Sequence, residues 1–409
     1  MASVPCVLSL AQPTHLAPLA ELLAYTQGLG LDQWLRRPKR GLSTLVFSLL
    51  WLVLAWHGRG RPSHLTQLDE PLLATLLGLP GLPTAETLRR SLAPFPTQAV
   101  RRAVEAAYRA ELVRRPERIW AALDSHQLPY WGRGQRARLE KGWSGAYGRC
   151  LRGYRLFLAV DTATGQIITF VLLRGGARDH RLTAVLARHL RGLLGRRLAG
   201  VVADSGFTSR PAVAALLQAR IPFILGFART ARVRAHLAAL TGQQRRWLQQ
   251  QGAIRLGLCT WDGRLHLLAL RARTPSDNRG PWVYVTNIQG LGPQRLAALY
   301  RRRWRVEQTI DELVNGHDLD HLVSTRLHPN AVAVGFRLLA RNLAIGLQLH
   351  RAGALPIVIR EPVACCATQV VGLGTFALQR QTIYLRPLRP SRPQRWRLPW
   401  ARRVVRLVA

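Results

Sequence analysis

Four short apolar runs, three before a helix-forming stretch and one after it, confine the middle of this chain to a layered α/β arrangement. Residues 119–123, 154–161 and 166–173 read as strands, and residues 162–165 join the last two in a tight turn. A helix from about residue 181 to 194 then leads to a fourth strand at 200–204. Two of these runs close on an acid, IWAALD on Asp124 and VVAD on Asp204. An acid that closes a buried strand is held at the sheet edge, where it can share a divalent cation with a second acid. The same position also suits a turn former or a helix cap. Asp161 competes for the first acidic place, but the TATG after it makes a hairpin turn, and Asp161 is read as its turn residue.

A third acid lies in YRRRWRVEQTIDEL. Pro293 suits the first turn of a helix and Gly316 the residue just past its end, so residues 293–315 are expected to form one helix. Leu296, Leu299, Val306, Ile310 and Leu313 mark its buried stripe. Tyr300, Arg303 and Glu307 follow a three-then-four step, which places them together on another face. There an arginine and a phenol beside a cation-binding carboxylate would suit a DNA phosphate. An ordinary surface pair between Arg303 and Glu307 is the plainer reading.

These residues carry a family resemblance. Tyr300, Arg303 and Glu307 look like the Y-x2-R-x3-E part of the Y-x2-R-x3-E-x6-K motif of bacterial insertion-sequence DDE transposases of the IS-four-like group. ALDSHQLPYWG resembles the segment around that family's first Asp, and VVADSGFTS the segment around its second. The similarity runs from about residue 116 to 350. It departs at the closing Lys of the motif, which falls on Val314. The resemblance implies an RNase H-like mixed sheet flanked by helices, in which the first and fourth strands are neighbours, so that Asp124 and Asp204 would meet. It implies that Asp124, Asp204 and Glu307 hold two Mg²⁺ ions, for which Mn²⁺ can substitute, and carry out DNA cleavage and strand transfer. The partners would be the double-stranded DNA of the transposon ends and target, bound by a homodimer. The acids alone would support only a metal-dependent nuclease, and Val314 leaves room for a DNA-binding protein that has lost catalysis.

A formal net charge of +38 and a pI near 11.8 predict strong, salt-dependent attraction to a polyanion. Nearly all the basic residues are Arg, with Lys only at positions 39 and 141. Residues 130–155 interleave Trp131, Trp143 and Tyr147 with Arg133, Arg136, Arg138, Lys141 and Arg149, and suit either a DNA-wrapping loop or a mobile surface loop. Within a β-rich insertion at 231–292, with strands at 253–260, 264–272 and 282–287, Trp261 and Trp282 are the stacking candidates, although a strand Trp is more often core. Five cysteines show no C-x-x-C pairing, which fits a reducing cytoplasm and a bacterial, nucleoid-associated location. The most apolar stretch, residues 42–56, is too short to cross a bilayer and reads as a buried helix, and no signal peptide or membrane partner is expected.

The chain is expected to divide into a helical DNA-binding domain (1–115), the first part of the catalytic domain (116–230), the insertion (231–292), the last part of the catalytic domain with the Glu helix (293–350), and a basic C-terminal extension (351–409) that grips phosphates rather than folding as a core. Residues 84–92, with Arg89 and Arg90, suit either part of a helix-turn-helix or a solvated basic face. Asp179 and His180 precede a helix and suit its cap. His317, Asp318, Asp320 and His321 resemble a zinc set only if one helix carries them, which Gly316 argues against.

Overall fold

Parallel strands covered on both faces need continuous apolar runs rather than alternation, and IWAAL and LAGVVA supply them. In the computed structural model these two segments lie side by side. The structure describes residues 12–14, 19–30, 44–68, 71–113, 115, 117–132, 139–258, 261, 265–270, 281–352, 374–379, 382–387, 394–398 and 403–407. Its strands, in chain order, are β1 (Gln12–Thr14), β2 (Ile119–Pro129), β3 (Glu140–Ser144), β4 (Arg149–Asp161), β5 (Ile167–Arg174), β6 (Leu198–Ala203), β7 (Phe223–Gly226), β8 (Ala253–Leu258), β9 (His266–Leu270), β10 (Trp282–Thr286), β11 (Gly374–Gln379), β12 (Thr382–Pro387), β13 (Gln394–Leu398) and β14 (Arg403–Leu407).

The chain separates into two units, one of residues 116–127 and 140–310 and the other of residues 1–115, 128–139 and 311–409. The first is built on a nine-stranded mixed sheet in the order β3-β4-β2-β6-β7-β10-β9-β8, with β5 paired to β4. β2, β6 and β7 run parallel, and the fully buried Ala121, Ala122 and Leu123 lie opposite Val201, Val202 and Ala203. The helix Asp179–Leu194 crosses between β5 and β6. This is the RNase H-like mixed sheet flanked by helices expected above, with its first and fourth strands adjacent.

Several local expectations are corrected. β2 does not end at Asp124 but continues to Pro129. The expected loop after it contains β3 and the start of β4, which pair antiparallel from Glu140↔Gly153 to Ser144↔Arg149 around a turn at Gly148, where φ is +59°. Before its strands the insertion carries two helices that the sequence reading did not assign, Ala231–Ala238 and Gly242–Gln251. The second is fixed at its start by reciprocal Thr241–Gln244 capping and at its end by Gly252 in the left-handed conformation. Its strands also form no separate sheet, because β10 pairs antiparallel with β7 and so lengthens the main one. Residues 293–315 are two helices, Pro293–Arg301 and Trp304–His317. At the joint the backbone tightens to three-residue hydrogen bonds, Arg302 N to Leu299 O and Arg303 N to Tyr300 O. Gly316 lies inside the second helix; the chain leaves it at Asp318, where φ is +55°.

The other unit packs helices. Thr44–Trp56 is buried, as its apolar sequence predicts, and Trp56 donates to Ala340 O at 2.7 Å. Leu327–His350 is long and apolar enough to cross a membrane, but most of it is buried inside the protein. Its buried arginines bond inside this unit: Arg337 donates through Nη1 to Leu319 O and through Nη2 to the carbonyls of Gly60 and His321, and Arg341 pairs with Glu312. The helix Ala85–Arg90 is six residues long, and both Arg89 and Arg90 are drawn to Glu86. At the C-terminus, β11–β14 join β1 in a five-stranded sheet, so the extension has folded structure where a phosphate-gripping tail was expected.

Candidate active site

The β2–β6 register determines where two of the acids stand. One step beyond the last pair, Leu123 and Ala203, the chain carries Asp124 on one strand and Asp204 on the other. Asp124 Oδ1 accepts from the backbone N of Ser125 at 2.7 Å. Asp204 caps the short 3₁₀ turn Ser205–Phe207 by accepting from Gly206 N at 3.0 Å. The end of β7 presses on the same turn, where a Cβ on Gly226 would stand 2.6 Å from Ser205 N, so only glycine fits. Asp204 is therefore both a cap and a member of the acidic cluster.

Glu307 arrives on the helix Trp304–His317. Arg305 donates to Thr164 O at 3.2 Å and Thr309 Oγ1 to Gly165 O at 3.2 Å, which ties that helix to the β4–β5 turn. Asp161 belongs to the turn, as expected: it is buried, its Oδ1 accepts from Ala163 N at 2.9 Å, and its carbonyl accepts from Gly165 N.

Arg303 joins the acids. Its Nη2 lies 2.5 Å from Glu307 Oε1 and its Nη1 3.7 Å from Asp124 Oδ2, while its guanidinium stands 5.6 Å from the Tyr300 ring centroid. Tyr300 is buried, with its ring 3.9 Å from that of Tyr284. The shared face of Tyr300, Arg303 and Glu307 thus survives the break in the helix. Burial works against the Arg303 charge, but Tyr300, Glu307 and Asp124 outweigh it and hold the guanidinium more basic than usual. Burial, reinforced by Asp204 and Glu307 and opposed by Arg303, pushes Asp124 up to about 7. Burial also raises Asp204, with Arg303 opposing and Asp179 adding to the rise. The Tyr300 hydroxyl is pushed up to about 12, chiefly by burial, and stays protonated at neutral pH.

Three hard carboxylate donors, two of them holding protons beyond the usual range, suit a divalent cation. Among the described residues no three His, Cys, Asp or Glu side chains are grouped to hold an ion as they stand. The Arg303 guanidinium, which reaches both Asp124 and Glu307, serves as the local cation.

The sign of the Asp124 shift makes a prediction. Its pKa in the folded protein, about 7, exceeds its ordinary 3.8, so the folded state takes up a proton between those values and the cation-free protein loses stability as pH rises through that window. A cation bound at Asp124 would have to displace that proton. Mn²⁺ affinity of the DNA-free protein, measured by calorimetry, should rise by about tenfold per pH unit below about 7 and then level off. A flat profile from about pH 6 to pH 8 would contradict this.

Sequence reasoning missed two neighbours of the centre. Asp179 was assigned to helix capping, but its side chain forms a bidentate pair with Arg155 at 2.8 and 2.9 Å and accepts from Ser125 Oγ at 3.0 Å. No local pattern marks either residue. Both line a groove of about 320 Å³ with Lys141, Trp143 and Arg178. Lys141 and Trp143 share the outward face of β3, and Trp143 is 57% exposed.

Of the other expected DNA contacts, Arg149 is exposed at the start of β4 and Trp282 is exposed at the start of β10. Trp261 packs 4.8 Å from the ring of Phe227, with Arg210 5.9 Å from its own ring. Trp131 is exposed and belongs to the helical unit, and Arg133 lies outside the described residues. His317 is a core residue: its Nδ1 donates to Ala55 O at 2.8 Å and burial lowers it to about 4, so it stays neutral.

A family model described as the transposase DDE domain matches residues 119–343, more than half of the chain. The chain belongs to the DDE transposase family. No curated protein matches it. Among solved structures, the piggyBac transposase synaptic complex with hairpin DNA is similar at 13% identity and a TM-score of 0.48, covering 88% of this chain and 81% of that one. The family match includes all three acids as well as Tyr300 and Arg303.

Proposed function

We propose that this DDE transposase cuts the ends of a bacterial insertion sequence and joins them to target DNA, with Asp124, Asp204 and Glu307 as its catalytic acids. The observation that carries this is that Asp124 and Glu307, from a strand and a helix far apart in sequence, meet on one arginine, with Asp204 level with Asp124 at the end of the neighbouring strand. Asp124, Asp204 and Glu307 would hold two Mg²⁺ ions, with Mn²⁺ as a substitute. When bound, these supply the positive charge that activates an attacking oxygen and stabilises a leaving one. Before a cation binds, Asp124 must release its proton, and Arg303 is placed to neutralise the remaining charge. Arg303 and Tyr300 then orient a backbone phosphate beside the acids. Lys141, Trp143 and Arg149 on the β3–β4 hairpin would hold flanking DNA by phosphate contact and stacking, as would Trp131, Arg133, Trp261 and Trp282 in their own segments. The protein would act as a homodimer on double-stranded DNA in the bacterial cytoplasm.

The test is incubation with DNA bearing the inverted repeats that flank the gene, with and without Mg²⁺, scored for cut ends and for joined products. Joined products support transposition, whereas cutting without joining points to a nuclease. One observation favours a second reading. Val314, half-buried, stands where the family motif has Lys, so one phosphate contact is missing. A protein that binds these ends but never cuts them would be a DNA-binding derivative of a transposase.

Arg303→Ala is expected to weaken end-specific cleavage by about ten- to a hundredfold, and the exposed Arg301→Ala by no more than about threefold, because only the former removes a buried multivalent contact. Equal losses, measured as initial cleavage rates, would reduce this segment to diffuse charge.

A further inference from the structure

A fourth carboxylate stands at the acidic centre. A Cβ on Gly206 would lie 3.0 Å from Asp179 Oδ2 and 3.2 Å from Asp204 Oδ1, so one small residue separates the two side chains. On its other side Asp179 accepts from Ser125 Oγ at 3.0 Å, and the Ser125 backbone N donates to Asp124 Oδ1 at 2.7 Å. Asp179 thus reaches one acid through Ser125 and stands beside the other. Its charge is balanced by Arg155, whose Nε and Nη2 both bind it and whose Nη1 donates to Trp143 O at 3.1 Å. Both side chains are about 15% exposed. A helix cap needs none of this, since the carboxylate points to an arginine and a serine of other strands.

We infer that Asp179 is a positioning residue of the catalytic centre, fixing Asp124 through Ser125 and, with Arg155, setting the charge that a cation meets beside Asp204. This rests on the reading of Asp124, Asp204 and Glu307 as the cation-holding acids. It does not make Asp179 a ligand. The Arg155–Asp179 pair contributes almost no net charge while intact, and breaking it from either side changes the field at Asp204 in opposite directions.

That opposition is the test. Mn²⁺ binding to the full-length, DNA-free protein is measured by electron paramagnetic resonance, with melting curves to confirm folding. Asp179→Asn removes a negative charge and leaves Arg155 uncompensated, so affinity should fall by about tenfold. Arg155→Gln leaves the Asp179 charge uncompensated and should raise affinity by about three- to tenfold. The double variant should return to near the wild-type value. If both single variants weaken Mn²⁺ binding and the double variant does not recover, the pair is only structural and the inference falls. Ser125→Ala removes the link without changing charge and should weaken binding by about threefold; together with no change in Asp179→Asn, an unchanged affinity here also overturns it. Failure of the underlying reading looks different. In that case Asp204→Ala would bind Mn²⁺ as the wild type does, whatever Asp179 contributes.

Discussion

On the proposed mechanism, Asp124→Ala, Asp204→Ala and Glu307→Ala are each expected to lower cleavage of end-bearing DNA by on the order of 10³-fold or more, because each would remove a carboxylate from a centre that stabilises two charged oxygens. DNA binding measured by fluorescence anisotropy should stay within about threefold, since with a net charge of +38 phosphate contacts spread over the surface are expected to dominate it. Asp204 also caps the turn at Gly206, so Asp204→Asn is the needed companion. It keeps an acceptor for the Gly206 amide and loses the charge, and it should be as inactive as the alanine variant. Asp161→Asn should keep most activity, because Asp161 serves the β4–β5 turn. Near-normal cleavage by any one of the three alanine variants would remove that residue from the centre.

Glu312→Ala is expected to cost the helical unit about 3–5 kcal/mol in denaturant unfolding, the range for removing one partner of a buried pair. Arg341 is 1% exposed and its Nε lies 3.0 Å from Glu312 Oε2, so the truncation removes the carboxylate that balances a charge held away from water. Replacing both residues with apolar ones, Glu312→Leu with Arg341→Met, should recover most of the loss. If the single variant is as stable as the wild type, the pair is wetter than its burial indicates. The two experiments separate cleanly, since the acid variants are expected to act on cleavage and the Glu312 variant on folding.

The three acids were legible in the sequence because each sits in a strong local context. Asp124 and Asp204 follow short apolar runs that read as buried strands, and Glu307 recurs with Arg303 and Tyr300 at helical spacing. The break between Arg301 and Trp304 was not legible, because leucine, alanine and arginine favour a helix on both sides and the tightened joint depends on tertiary packing. The helices at residues 231–251 were missed for a different reason. They bury little more than Val233 and Leu248, so their apolar signal is faint.

By itself the sequence determined the central strands, the helix between them and the local setting of each acid, since burial periodicity, capping residues and turn formers act over a few neighbouring positions. It left open which distant residues meet. Only the tertiary structure set the β2–β6 register that brings Asp124 level with Asp204, laid Arg303 against Asp124, and paired Asp179 with Arg155 across 24 positions of chain. Pairing of that kind depends on strand order and on the sign and burial of charges that approach through space, and neither leaves a periodic mark along the chain.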